Sequence, residues 1–316
     1  MAAVAQSVYD VLILGAGPGG LATAAGLARQ LYTGIVFNSG VFRNARAAHM
    51  HTVLGFDHAN PADFRAKAKD DILKRYDTIT FQDNTTITAL KKLENGNFEA
   101  ADAQGKKWEG RKVVLAAGIT DVLPDIEGFD QCWGYGVFHC LFCHGYEERG
   151  SESAGILAMG PLGNAAAPPM FARMANRFAK DIIIYTNGNA DLANEISANL
   201  QGSVRGFKVD QKPIKRFEKL PAGAQVTVHF EDGSSTTHGF LTYKPAAKTN
   251  GPYAQLGVEL GADGLIKVNQ PFPETNVKGV FAVGDCTTQM TTVSVASMQG
   301  SIAAAGAIHQ LQEEPS

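Results

Sequence analysis

Short apolar runs, each closed by glycine or other small residues, recur along this chain and set its expected elements. Tyr9 to Leu14 is an apolar run of the kind found in a parallel strand buried on both faces. It passes directly into Gly15-Ala16-Gly17-Pro18-Gly19-Gly20, and an alanine-rich helix is predicted over 21–31. A second apolar strand follows at Gly34 to Phe37. A helix is predicted from Pro61 to Tyr76, with proline at a permitted first-turn position. Strand-like segments lie between Thr80 and Glu99, with turns at Gly96 and Gly105, and another buried strand runs from Arg111 into Ala116-Ala117-Gly118. The middle of the chain repeats the theme. A strand and glycine turn occupy Ser153 to Ala165, and a strand runs from Asp181 to Tyr185. A last strand, Val277 to Asp285, ends in Gly284-Asp285, and a helix is predicted from Val293 to Leu311. Strands alternating with helices in this way predict an α/β protein with parallel sheets.

The first glycine turn stands where a dinucleotide-binding fingerprint must stand, between a strand and a helix. Gly15 permits the turn, Gly17 lets a pyrophosphate approach the backbone, and Gly20 lets the helix pack on the strand. Pro18 fits the first helical turn, and the helix N-terminus faces the phosphates. The acid that normally grips a ribose hydroxyl after the second strand is replaced by Asn38, followed by Ser39. Asparagine can still hydrogen-bond a hydroxyl, without charge assistance. Arg43 and His51 lie in a loop expected against the cofactor or the substrate. His49, His51 and His58 fall close together there, but with no helical i, i+4 pair and no nearby acid pattern, no metal site is expected. Ala117 and Gly118 mark the exit from the first domain. Gly284 leaves room for a cofactor and Asp285 offers a carboxylate to it. Together these residues predict FAD. The expected fold is two Rossmann-like (three-layer ββα/βαβ) dinucleotide-binding domains, the second inserted in the first: 1–118 with 245–316 for FAD, and 119–244 between them.

The inserted segment carries the chemistry, in Phe138-His139-Cys140-Leu141-Phe142-Cys143-His144-Gly145-Tyr146-Glu147. Two cysteines two residues apart close a disulfide with little chain movement, and at a helix start the backbone N–H groups favour a thiolate. His144 has the ordinary pKa for taking a thiol proton near neutrality, and Glu147 is placed to orient it. Four cysteines in 316 residues are too few for a disulfide scaffold. A zinc site on Cys132, Cys140, Cys143 and His144 lacks a second close pair, so a redox pair is expected, with Cys132 and Cys286 as inert buried thiols.

The second glycine turn departs from a working nucleotide site. Its first glycine is Ala158, while Gly160 and Gly163 remain, and Pro168 and Pro169 follow within the expected helix. Proline inside a helix costs about 3 kcal/mol, so that helix is expected to be interrupted or delayed. From Ile182 to Val204 there is no Lys, Arg or His to hold the 2′-phosphate of NADPH. The fold is therefore expected to persist without its nucleotide.

Charge and composition narrow the remaining classes. Content of 45% hydrophobic and 19% charged residues is that of a globular protein, and a net charge of −3 gives no pull on nucleic acid or an anionic membrane. No uncharged apolar run approaches membrane-spanning length, and Met1 to Asp10 lacks the layout of a signal peptide, so a cytoplasmic enzyme is expected.

On Gly15/Gly17/Gly20, the Ala116-Ala117-Gly118 exit, Cys140/Cys143, the second glycine unit and Gly284-Asp285, the whole chain resembles the low-molecular-weight thioredoxin reductase superfamily. His144 in place of an acid, and the missing arginines, are similar to its branch of FAD-dependent dithiol oxidases of the gliotoxin and holomycin type. That resemblance implies a homodimer that closes a disulfide in a small-molecule dithiol and passes electrons through FAD to O2, giving H2O2. It further implies that Cys140 meets the substrate and that Cys143 lies nearer the flavin. An NAD(P)H-dependent thioredoxin-type reductase is the alternative.

Overall fold

The structure, a computed structural model, describes residues 8–200 and 207–314. Met1 to Ser7, and the end of the cation-free stretch at 201–204, lie outside the described residues. The chain divides into two units, one of Met1–Ala48, Ala59–Thr120 and Ala247–Ser316, the other of His49–His58 and Asp121–Ala246.

The first unit begins with β1 (Tyr9–Leu14), α1 (Pro18–Arg29) and β2 (Gly34–Asn38). α2 (Pro61–Arg75), β3 (Ile79–Asp83), β4 (Ile87–Lys92), β5 (Phe98–Asp102) and β6 (Lys107–Leu115) follow. β1 is central, parallel to β2 on one side and to β6 on the other, with Leu14 opposite Phe37 and Leu115. Its alternation is a strand's period of two with both faces buried. Val11 and Ile13 pack toward α1 and α2 with Leu27 and Ile72, while Leu12 and Leu14 pack on the other face with Phe98, Trp108 and Val113. The antiparallel run β4-β5-β6 extends the sheet. α1 starts three residues earlier than the pattern predicts, because Pro18 fixes a helical φ and Gly19 and Gly20 are taken into the first turn. Asn60 caps α2, its side chain accepting from the Ala62 N–H at 2.8 Å.

The chain leaves by β7 (Ile119–Val122) and enters the second unit. There, short α3 (Phe129–Cys132), β8 (Val137–Phe138) and α4 (Leu141–His144) precede β9 (Ser151–Leu157). α5 (Ala167–Ala175), β10 (Ala179–Tyr185), α6 (Ala190–Leu200) and β11 (Phe207–Asp210) continue the α/β alternation. β12 (Ile214–Lys219), β13 (Val226–Phe230) and β14 (Ser235–His238) form an antiparallel sheet. β15 (Phe240–Thr242) then completes a parallel sheet of order β11-β10-β9-β15-β8. One face of that sheet packs Ile156, Ile182 and Ile184 against Phe171, Leu192 and Ile196 of the helices. The other packs Leu157, Tyr185 and Leu241 against Val226, Val228 and Phe230. Three layers result: helices, parallel sheet, antiparallel sheet. β16 (Ala246–Thr249) pairs with β7, and β17 (Val280–Ala282) and α7 (Val293–Glu313) return to the first unit. There β17 pairs with β6, and the Thr23 hydroxyl of α1 donates to the Gly300 carbonyl of α7 at 3.1 Å.

One segment departs from the sequence reading. His49–His58, expected with the FAD domain, belongs with the second unit, where His51 bonds to the backbone of Cys143.

A buried histidine gives this unit a pH-dependent stability. His238 is 1% exposed. Its ring lies 2.9 Å from the Ser153 hydroxyl and 2.7 Å from the Tyr185 hydroxyl. Burial pushes its pKa down to about 4 from 6.5. Between those values the unfolded chain binds a proton that the native state refuses. Stability is thus full above pH 6.5 and is lost as pH falls toward 4, by up to about 3 kcal/mol. Denaturant titrations of wild type and His238→Gln over that range should show a shallower pH slope in the variant. Equal slopes would contradict the assignment.

Candidate functional site

The first unit shows a cradle fitted to a dinucleotide. Gly15 sits at φ +122, and a Cβ on it would lie 2.3 Å from the Ala116 carbonyl oxygen. A Cβ on Gly20 would lie 1.9 Å from the Gly15 carbonyl oxygen. At Gly17 a Cβ would meet nothing within 4 Å, so open space remains where a pyrophosphate would approach. Gly17 is the N-cap of α1, no side chain caps that end, and its first turn holds no acid. This helix end suits an anion. Asn250 pins the exit, its N–H donating to the Gly118 carbonyl at 3.0 Å and its amide to Ala117 at 3.2 Å. Arg43 donates to Asp285 at 3.0 Å, and Gln299 accepts from the Gly284 N–H at 2.7 Å. Asn250 and Gln299 carry no local motif and were invisible in the sequence pattern. These residues could hold a dinucleotide such as FAD, with Gly15, Gly17, Pro18 and Gly20 where a pyrophosphate would approach and Gly118, Gly284 and Asp285 as further candidates to contact it.

Asn38, in the ribose-gripping position, is bound internally. Its amide donates to Asp83 at 2.8 Å and its oxygen accepts from the Gly40 N–H at 3.0 Å, while Ser39 accepts from the Val41 N–H at 3.3 Å. His51, expected to face the cofactor, lies in the other unit.

The second glycine turn is built differently. Between Leu14 and α1 only residues 15–17 intervene, whereas 158–166 separate β9 from α5. The prolines do not interrupt α5. They occupy its first turn, where a missing N–H is harmless, and the helix start is delayed instead. The Asn164 side chain accepts from the N–H groups of Ala166 at 3.1 Å and Ala167 at 2.9 Å, so the chain itself already satisfies this end. Beside Gly160, the counterpart of Gly17, a Cβ would lie 2.8 Å from the Tyr243 hydroxyl. A buried phenol thus stands where the first site is open. After β10, Asn187 accepts from the Ile214 N–H at 2.7 Å and Asn189 caps α6.

The two cysteines form a disulfide, Cys140–Cys143. β8, locked to β15 with Val137 opposite Leu241, delivers Cys140 as the N-cap of α4. α4 is one turn long, so its dipole offers a thiolate less than the sequence suggested. The aromatic and apolar neighbours sort by burial. Phe138 and Leu141 belong to the core at 5% and 2% exposure, while Phe142 and Tyr146 are 75% and 65% exposed and flank the disulfide. His144 stacks on Phe138 with centroids 4.7 Å apart. Burial, then the charge of His51, hold its pKa below the ordinary value, with Glu147 acting in the opposite sense. The ring is therefore neutral at pH 7 and ready to accept a proton. Glu147 engages His51 instead, at 3.3 Å, and His51 Nδ1 lies 2.6 Å from the Cys143 carbonyl oxygen. Cys132 and Cys286 are buried, their thiols pushed up to about 11 and about 12 by that burial, so neither supplies a thiolate near neutrality.

Comparison with known proteins agrees with this architecture. The profile of the pyridine nucleotide-disulphide oxidoreductases matches residues 9–300. The chain is 41% identical over 307 residues to a protein of Claviceps purpurea named thioredoxin reductase tcpT, covering 97% of this chain and 95% of that one. It is 40% identical over 311 residues to thioredoxin reductase aclD of Aspergillus oryzae, covering 98% of each. Among solved structures, an oxidoreductase from Agrobacterium tumefaciens superposes with a TM-score of 0.84 at 29% identity, covering 98% of this chain and 100% of that one. No helix among the described residues is long and apolar enough to cross a membrane. With a disulfide-forming cysteine pair, a dinucleotide cradle and a match over nearly its whole length, the chain belongs to the pyridine nucleotide-disulphide oxidoreductase family and is an oxidoreductase.

Proposed function

We propose that the protein oxidises a small-molecule dithiol to its disulfide through Cys140–Cys143, with FAD in the first unit and O2 as the final acceptor. The observation that carries this reading is the self-filled second nucleotide turn. Asn164 satisfies the α5 terminus and Tyr243 fills the space beside Gly160, while no cation follows β10 through Leu200. Without a pyridine nucleotide as donor, electrons enter from thiols.

A substrate thiolate attacks Cys140 Sγ. The Cys140–Cys143 bond breaks, a mixed disulfide forms, and Cys143 leaves as a thiolate. The second substrate thiol loses its proton to His144 and attacks the first substrate sulfur, so the substrate disulfide closes and Cys140 is released. The substrate has lost two electrons and two protons, and the pair now holds two thiols. Bound FAD supplies the two-electron outlet from that dithiol to O2, with H2O2 as product. Phe142 and Tyr146 offer an apolar rim to the substrate. His51 positions the Cys143 backbone and Glu147 holds His51, so Glu147 acts through His51. We place the enzyme as a homodimer in the cytoplasm.

The relatives' names favour a second reading, an NAD(P)H-dependent reduction of a disulfide. An oxygen electrode separates the two. In air with dithiothreitol alone, one O2 should be consumed and one H2O2 formed per disulfide closed. The acid limb of that rate should lie below pH 6.5, where the lowered His144 pKa is crossed. His144→Gln should lose that limb and about a hundredfold in rate. A requirement for NADPH would reverse the direction assigned.

A further inference from the structure

Two histidines of the 49–58 segment meet an acid from the far side of the redox pair. His51 Nε2 lies 3.0 Å from His58 Nδ1 and 3.3 Å from Glu147 Oε1. The ligand atoms of the three residues all fall within 4.8 Å of one another. Two donor atoms bound tetrahedrally to one zinc ion at about 2.0–2.1 Å stand roughly 3.3 Å apart. The two short separations match that spacing, as they also match a hydrogen bond and an ion pair.

The protonation pattern points the same way. His51 Nδ1 faces the Cys143 carbonyl oxygen at 2.6 Å, and a carbonyl only accepts. Nδ1 therefore carries a proton, so that in the neutral form of the ring, the form a cation would bind, Nε2 bears the lone pair. This is how a ligating histidine is oriented, one nitrogen donating to a backbone carbonyl and the other turned to the metal. The Nε2 lone pair then faces the Glu147 carboxylate, and two acceptors at that distance need a cation or a second proton between them. A proton bridges a single pair of atoms, whereas a divalent ion satisfies His51, His58 and Glu147 together. His49 stacks on His58, centroids 3.9 Å apart and planes 10° from parallel, which holds the second ring in place.

We propose that His51, His58 and Glu147 form a binding site for a zinc-class divalent cation, braced against the backbone of Cys143. Three protein ligands leave a fourth position open to water or a thiolate. The ion sits beside the redox pair and takes no electrons itself. A donor set of two imidazoles and one carboxylate suits zinc or cobalt over magnesium or calcium.

The test uses the flavin-loaded, oxidised protein after chelator treatment and dialysis, so that Cys140 and Cys143 are held in their disulfide and cannot ligate. Calorimetric titration with Zn2+ should give one site per chain. Co2+ should give tetrahedral absorption at wavelengths beyond the flavin bands. His58→Ala should abolish the site, and Glu147→Gln should weaken it at least tenfold, each with an unchanged melting temperature. No binding below millimolar Zn2+ would overturn the proposal and leave a proton between His51 and Glu147. Binding that survives unchanged in His58→Ala would overturn it equally, by showing that the ion sits elsewhere.

Discussion

Cys143→Ala should abolish reduction of the flavin by dithiols, by at least about a thousandfold, while the purified protein stays yellow. The substitution removes one half of the disulfide and leaves Cys140 a lone thiol, with no protein disulfide for a substrate thiolate to attack. Little else should change. Cys143 is partly exposed on a single turn that Leu141, 2% exposed, anchors in the core. The dinucleotide cradle lies in residues of the other unit. Flavin content and melting temperature should therefore match wild type while anaerobic bleaching by dithiothreitol disappears. Normal turnover in this variant would remove the pair from the mechanism.

Gly20→Ala should damage the fold itself. The new methyl would lie 1.9 Å from the Gly15 carbonyl oxygen and 3.3 Å from the Ile13 side chain, so backbone must move against backbone at the junction of β1 and α1. Overpacking of this kind costs about 3 kcal/mol or more, a fall in melting temperature of roughly 6–12 °C. Gly17→Ala is the matched control, since a Cβ there meets no protein atom within 4 Å. It should leave the apoprotein's melting temperature within about a degree of wild type. It should weaken FAD retention, because the methyl enters the space kept for the pyrophosphate. Measuring bound flavin and apoprotein melting for both variants separates the two effects. A Gly17→Ala protein that keeps its flavin as tightly as wild type would argue against the cradle.

The strand-turn-helix around Gly15–Gly20 was legible because every constraint in it is local. One apolar run, one turn and one helix start lie within a dozen residues. The same rules left two outcomes open for the prolines of the second unit, an interrupted helix or a delayed one, and the structure shows the delayed one. Whether Pro168 breaks a helix depends on where the helix begins, and Asn164 sets that start by accepting from Ala166 and Ala167. A capping asparagine ahead of Pro168 was a readable signal that proline at the first turn is allowed. Other features had no local signal. Tyr243 reaches Gly160 from a strand end far along the chain, and Glu147 reaches His51 across the intervening sequence. The two-residue strand β8 and the short turns that follow it are also too short for periodicity to separate the buried Phe138 and Leu141 from the exposed Phe142 and Tyr146. Residues that act through distant partners stay hidden until the chain is folded.

The central claim is the direction of electron flow, and stopped-flow absorbance without oxygen tests it most directly. The flavin-loaded protein is mixed separately with dithiothreitol and with NADPH. The account predicts bleaching of the flavin by the dithiol, none by NADPH, and recovery with release of H2O2 when air is readmitted. Fast bleaching by NADPH would contradict it, and would mean that the turn filled by Asn164 and Tyr243 still admits a nucleotide.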